Sequence, residues 1–206
     1  MDGGAIDGSW YLAVLGFARE TPWLQGFMAI YTNAGLVLLA LLAVVTWWRA
    51  RGHDAARMAA ALWVPVAVAL AYGLSNVVKV LAQEPRPCIR YPAVPTVATC
   101  DYATDYSFPS NHVTLAFAAA VALLFAARRT GLVALGLAAL VACSRVYLGA
   151  HYPHDVLAGI VLGALVACLG LPLRRPAAAL VDHLRGGGLR PLVGSGAGDR
   201  PVVEAR

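Results

Sequence analysis

Charge is scarce in this chain. Only 13% of its 206 residues are charged and 60% are hydrophobic, where a soluble domain carries about 25% charged residues. Mean hydropathy is +0.67. These values exclude an ordinary solvated domain and point to an integral membrane protein built as one compact bundle. Internal repeats are absent, which argues against a transporter assembled from repeated halves. The four cysteines include no CxxC pair, the pattern a paired-thiol metal or redox site would show. No lipidation motif is present. The first apolar stretch lacks a basic n-region and a small-residue cleavage site, so no cleavable signal peptide is expected. The net charge is +5, yet aromatic residues do not interleave with basic patches. Nucleic acid is therefore not an expected partner, and the positive charge reads as membrane topology.

What is present is a series of apolar runs with basic residues between them. Residues 1–26 read as an N-terminal interfacial segment, because the apolar stretch from Trp10 to Phe17 is too short to span. Phe27 to Trp48 is long enough to cross, and Trp47 and Trp48 suit an interface. A second run extends from about Met58 to Ala82, with Pro65 as a candidate kink and Asn76, Lys79 and Gln83 on one face. Glu84 to Pro109 is a long loop whose five prolines forbid a long helix. Further spans are expected at 110–127, 132–148 and 153–173. Ser110 is the expected N-cap of the first of these, and Pro153 a first-turn residue of the last. A membrane domain over 27–175 is followed by a basic tail, 176–206, with a short amphipathic helix near 177–185 and then disorder. Five spans are expected; six, with residues 8–26 crossing, is the alternative.

Five spans sort the basic residues. Arg49, Arg51, Arg57, Arg128, Arg129, Arg174, Arg175, Arg185, Arg190, Arg200 and Arg206 fall on one side, eleven of the 16 Lys and Arg residues. The positive-inside rule makes that side cytoplasmic and the opposite side extracytoplasmic. Cys88 and Cys100 lie in the long loop on the outer side. A disulfide there would contribute about 3 kcal/mol in the loop-entropy model, and two free thiols are the alternative. Cys143 and Cys168 read as packing residues.

Three clusters break the apolar pattern, all on the outer side: Lys79–Pro87, Phe108–Thr114 and Cys143–Asp155. Ionisable groups in a membrane chain call for a reason. Lys79, Arg86 and Arg145 bring three cations with few nearby acids, a deficit that an anion would fill, and phosphate matches the Arg fork. Two helices begin near Ser110 and Pro153 and point the same way, which favours an anion between them. His112 sits in the first turn of one helix and His151 just before the other. Asp155 is four positions after His151 and can reach back to a ring nitrogen, leaving the other free to attack. Bland readings stand beside these. Lys79 could snorkel, His112 could be packed, and Thr32 and Asn33 could be helix glue. His154, His53 and His183 read as surface residues. A metal held by His112, His151 and Asp155 is opposed by the neighbouring cations.

The blocks resemble a known family. KVLAQEPRP fits K-x6-R-P through Lys79, Arg86 and Pro87. FPSNHVT resembles P-S-G-H through Pro109, Ser110 and His112. SRVYLGAHYPHD fits S-R-x5-H-x3-D through Ser144, Arg145, His151 and Asp155. The chain is similar to type 2 phosphatidic acid phosphatases, and most to the bacitracin-resistance type of undecaprenyl-diphosphatase. Asn111 stands where the general block has glycine. The resemblance implies an all-α membrane bundle and a lipid phosphatase with a phosphohistidine intermediate. His151, His112 and Asp155 would be catalytic. Lys79, Arg86, Ser110, Asn111 and Arg145 would bind phosphate. No metal and no cofactor are expected. The expected substrate is undecaprenyl diphosphate, whose hydrolysis recycles the cell-wall lipid carrier. The alternatives are phosphatidate, phosphatidylglycerophosphate or a polyprenyl monophosphate. A lipid-phosphate transporter or binding protein is the reading from another class. The sequence leaves monomer and homo-oligomer both open.

Overall fold

The computed structural model describes residues 3–100 and 105–196. Among the described residues the chain is helical and contains no strand. The order is α1 (Gly3–Glu20), α2 (Pro22–Ala50), α3 (Ala55–Ala82), α4 (Pro87–Arg90), α5 (Asn111–Ala126), α6 (Arg128–Tyr147), α7 (Pro153–Cys168), α8 (Gly170–Arg185) and α9 (Arg190–Val193). Local chemistry sets the boundaries. Pro22 and Pro153 occupy first-turn positions, where a missing N–H costs nothing. The Asp54 carboxylate caps α3 by accepting the Arg57 N–H at 2.8 Å. Gln83 closes α3 with φ of +49°, so it turns off the helix and does not share the face of Asn76 and Lys79 as expected. Pro65 lies inside α3, which continues as one helix through it.

Among the described residues, four apolar stretches are long enough to cross a membrane: Pro22–Ala50, Ala55–Arg90, Arg128–Tyr147 and Pro153–Arg185. The fifth apolar helix, α5, has only 16 residues, about 24 Å at the usual rise. It is the central helix, packed against α2, α3, α6 and α7. Ala116, Ala118, Ala120 and Ala122 along it are fully buried. Small residues let the neighbours close in. A Cβ on Gly163 of α7 would collide with the Thr114 carbonyl, and one on Gly159 would meet the Ser110 carbonyl at 3.0 Å. The outer faces are apolar: Val37, Leu41, Val80, Leu157 and Leu165 are all exposed. A bundle with alanine inside and large aliphatics outside suits lipid as its solvent. Cys143, expected to pack, lies on such an outer face.

α1 is longer than the sequence suggested. Its inner side, Tyr11, Leu15 and Ala18, is fully buried against Tyr147, Leu148 and Tyr152. At the opposite end, α8 begins at Gly170 rather than near 177 and α9 folds back beneath α2 and α3. The Arg185 guanidinium donates to the His53 carbonyl at 2.8 Å, and the Trp47 indole donates to the Leu192 carbonyl at 3.1 Å. Residues 186–193 form turns and the short α9, 194–196 have no regular structure, and the rest of the expected disordered tail, 197–206, lies outside the described residues. The loop between α3 and α5 carries a disulfide between Cys88 and Cys100.

Candidate active site

α3, α5, α6 and α7 all present polar residues at the end of the bundle where α5 and α7 begin. The two starts are joined directly: the Ser110 N–H donates to the Asp155 carbonyl at 3.1 Å. Ser110 is the N-cap residue of α5, as expected, but its hydroxyl caps nothing. That oxygen is buried and without a hydrogen-bond partner. His151, fully enclosed in the turn before α7, has Nδ1 3.4 Å from Asp155 Oδ2. The same carboxylate oxygen accepts the Tyr152 N–H at 2.8 Å and the Ser107 hydroxyl. Asp155 thereby caps its own helix and orients the ring at once. Nδ1 faces Asp155, so Nε2 is the nitrogen left for chemistry. Burial pushes His151 down to about 3, against the pull of the Asp155 hydrogen bond, while Arg145 and Arg86 add to the depression. The depression favours the neutral ring that a nucleophile needs.

The cations gather around this pair. Lys79 is buried and donates to the Tyr106 carbonyl, with the Asp105 carboxylate at 3.5 Å. Arg86 donates through Nε to the Asp105 carbonyl at 3.0 Å, through Nη1 to the Ala150 carbonyl at 3.1 Å, and through Nη2 to the Asp105 carboxylate. Burial opposes the charge on Asp105, but Arg86 and Lys79 outweigh it and hold its carboxyl below the usual range. Arg145 donates to the Thr32 hydroxyl at 3.0 Å, and its Nε is buried without a partner. His112 Nε2 lies 3.1 Å from Asn33 Oδ1, within electrostatic reach of Arg145, Arg86, Lys79 and Asp105. Thr32 and Asn33 thus tie α2 to α6 and α5, as polar glue between helices would, and they do so through Arg145 and His112 of the site.

A family model described as the PAP2 superfamily matches residues 60–177, more than half of the chain and the segment that holds every residue above except Thr32 and Asn33. This chain belongs to the PAP2 superfamily. Among PAP2 relatives, the chain is 31% identical to "Undecaprenyl-diphosphatase BcrC" of Bacillus subtilis, over 77% of this chain and 79% of that one. It is 34% identical to "Decaprenylphosphoryl-5-phosphoribose phosphatase" of Mycobacterium tuberculosis, over 74% and 73%. In fold it is similar to Aquifex aeolicus LpxE, with a TM-score of 0.65 at 22% identity over 81% of this chain and 95% of the other. It is also similar to a transmembrane PAP2 type phosphatidylglycerolphosphate phosphatase from Bacillus subtilis, with a TM-score of 0.60 at 24% identity over 82% and 86%.

Against the expected PAP2 site set, the geometry brings Lys79, Arg86, Ser110, His112, Arg145, His151 and Asp155 to one end of the bundle. Asn111 departs from its expected place. Its amide oxygen accepts from Ser75 at 2.5 Å and its amide nitrogen donates to Asn76 at 3.2 Å. These contacts turn the side chain toward α3 and leave one amide N–H and the backbone N–H to meet an anion. Sequence reasoning missed Asp105 and Ser107, which flank the second block, and Asp7, Glu84 and His154. His154 in particular is no surface residue; it meets Asp7, Glu84 and Asp155. The acids within ligand spacing are Glu84 and Asp155 with His154, not the His112, His151 and Asp155 set weighed from the sequence. A second feature adjoins the site. A cavity of about 810 Å³ runs between α2, α3 and α5, lined by Leu36, Leu39, Tyr72, Leu115 and Ala119 among other apolar residues. Leu36, Leu115 and Tyr72 each lie one turn from Asn33, His112 and Asn76.

Proposed function

We propose that this lipid phosphatase cleaves the terminal phosphate from a polyprenyl diphosphate, most specifically undecaprenyl diphosphate, and so returns the lipid carrier as its monophosphate. The observation that carries the reading is a pair of buried, unpartnered groups, Ser110 Oγ and Arg145 Nε, on the same end of the bundle as a neutral His151 held by Asp155. Buried donors without partners are costly unless a ligand completes them, and a phosphoryl group has three oxygens to offer. The apolar cavity below His112 supports a long hydrocarbon tail. The diphosphate itself is supported by the similarity to the undecaprenyl-diphosphatase BcrC of Bacillus subtilis.

In this reading His151 Nε2 forms a bond to the terminal phosphorus while the bond to the bridging oxygen breaks. His112 gives that oxygen its proton. Water then attacks the phosphohistidine, His112 takes the proton, and orthophosphate leaves. Lys79, Arg86, Arg145 and Ser110 hold the equatorial oxygens, where transition-state charge is spread. Fixed cations supply that charge, so activity is expected to need no divalent metal. The basic-residue distribution supports a site on the extracytoplasmic face and a cytoplasmic C-terminus. On that assignment α1 lies along the outer surface.

The test is phosphate release by purified protein in detergent with EDTA, from undecaprenyl diphosphate and from phosphatidic acid, beside His151→Ala. Release from the diphosphate that survives EDTA and vanishes in the variant supports the reading. A preference for phosphatidic acid moves the substrate to phospholipid. Release from neither substrate by folded protein sinks the reading.

A further inference from the structure

The first turn of α7 carries a histidine that this mechanism does not use. His154 has both ring nitrogens engaged: Nδ1 is 2.9 Å from Asp7 Oδ1 and Nε2 is 2.9 Å from Glu84 Oε1. A neutral imidazole donates from one nitrogen only, so a ring that meets a carboxylate at each nitrogen carries both protons. Asp7 also accepts the backbone N–H of His154 at 2.7 Å, one of the unsatisfied donors of the α7 start. α1 leaves helical geometry at Asp7, with φ of −145°, which turns this carboxylate toward α7. The His154 ring is stacked on Phe108 at 5.9 Å and on Tyr152 at 5.4 Å, and aromatic faces favour a cation.

One ring thus gathers α1, the end of α3, the run-in to α5 and the run-in to α7. Phe108 is two residues before Ser110, and Tyr152 directly follows His151. The second oxygen of Asp155 is 3.3 Å from His154 Nε2. The ionisable groups facing the ring are Asp7 from α1, Glu84 beyond α3, Asp155 of α7 and Tyr152 of the turn before it. Glu84 and Asp155 are fully buried. Like charges at such spacing drive one carboxylate to take a proton unless a cation sits among them. If Asp155 took it, the carboxylate could no longer accept freely from the His151 ring.

We propose that His154 is a positioning residue for the phosphatase reaction, an imidazolium bridge between Asp7 and Glu84 that fixes the first turn of α7 and keeps Asp155 ionised toward His151. This rests on the reading of His151 as the nucleophile. A divalent cation among Glu84, His154 and Asp155 is the competing occupant, but it would have to take Nε2 from the Glu84 contact already made.

The test uses the full chain in detergent micelles with two readouts. The first is kcat and KM on undecaprenyl diphosphate for wild type, His154→Ala, Asp7→Asn and His151→Ala. His154→Ala is expected to lower kcat by about 10- to 100-fold, the scale of a misplaced reacting group, with KM within about twofold of wild type. Added imidazole should restore part of that loss. The second is the ¹⁵N spectrum of the histidine rings at pH 7, in which His154 of wild type should show both nitrogens protonated. Unchanged kcat in folded His154→Ala overturns the proposal, and so does a singly protonated His154. A stoichiometric Zn²⁺ shift of the His154 Nε2 resonance also overturns it, in favour of a metal site. Inactive wild type defeats the functional reading instead, and the ring spectrum still decides the bridge.

Discussion

The Ser107 hydroxyl donates to the Asp155 oxygen that also faces His151, and its own Oγ lies 3.5 Å from the His151 ring. Ser107 is fully buried and anchored through its N–H to the Glu84 carbonyl at 2.8 Å. It belongs to the loop before α5, outside the three spaced blocks. It settles the carboxylate on the side where the imidazolium character of a phosphohistidine would develop.

Ser107→Ala should therefore slow chemistry rather than weaken binding. A hydrogen bond to a charged group contributes about 1.5–3 kcal/mol, so kcat should fall by roughly 10- to 100-fold with KM little changed. Steady-state kinetics check this. A rise in KM at constant kcat would assign Ser107 to substrate binding.

Arg145 offers a different prediction because of its geometry. Thr32 fixes one terminal nitrogen at 3.0 Å, and the buried Nε has no partner. Lysine keeps the charge but cannot present that second donor beside the first. Arg145→Lys should lower kcat/KM by about 100-fold, in the range for loss of a transition-state donor. Thr32→Val, which leaves the guanidinium intact, should cost roughly tenfold at most. The comparison of the two variants under one assay is the check.

Asp105 is a counter-ion that the phosphate reading must displace or share. It reaches both Lys79, the chain's one lysine, and Arg86. Its carboxylate is half-exposed, so it can swing aside without opening the core. Asp105→Asn should strengthen inhibition by orthophosphate several-fold, because the internal anion no longer competes for the two cations. Weaker inhibition in the variant would mean that Asp105 instead holds the cations in place for the substrate. Inhibition constants for orthophosphate in both proteins decide it.

His151 predicts a pH dependence with a definite sign. Its folded value of about 3 lies below the ordinary 6.5, so folding favours the neutral ring. The contribution to stability is complete above about pH 6.5 and erodes as pH falls toward 3, by about 1.4 kcal/mol per pH unit for one group. Thermal unfolding of wild type and His151→Asn should converge on acidification through that window. In kcat/KM, an acid limb near pH 6 must belong to another group, since His151 is already neutral there.

The parts of the site that were legible in the sequence are those set by spacing along one helix end. His151 and Asp155 are four apart across the start of α7, so the carboxylate can reach back to the ring, and Ser110 and His112 both lie in the opening turn of α5, so local sequence places them at the same helix end. The bundle was legible because apolar runs and arginines alternate. What stayed hidden depends on contacts between distant segments. Asp7 and His154 are 147 positions apart, and Asp105 meets Lys79 across a long loop. No periodicity records such pairings. A weak signal did exist: with only 11 acids in the chain, Glu84 beside the first block and Asp105 before the second were candidates for partners. The Asn111 contacts with Ser75 and Asn76 join positions 36 and 35 residues apart, so the spacing of the block gave no sign of them.

The cavity between α2, α3 and α5 leads to the last prediction. Its upper lining is one turn below Asn33, Asn76 and His112, so a lipid whose phosphate sits among the cations can lay its tail there. The wall is almost wholly apolar, and the lateral faces of these helices already meet lipid. Burial of hydrocarbon contributes about 0.8 kcal/mol per CH₂ group, and much of a membrane lipid's gain is made already in the bilayer. The cavity should therefore select between tails more than it adds affinity. Ala119→Trp, placed within the cavity and away from the polar end, should raise KM for undecaprenyl diphosphate at least fivefold more than KM for a short-chain prenyl diphosphate such as a C15 analogue. Ala119→Leu should give the same order with a smaller ratio. Equal effects on both chain lengths would place the tail elsewhere, along the outer surface of the bundle, and leave the cavity to ordinary membrane lipid.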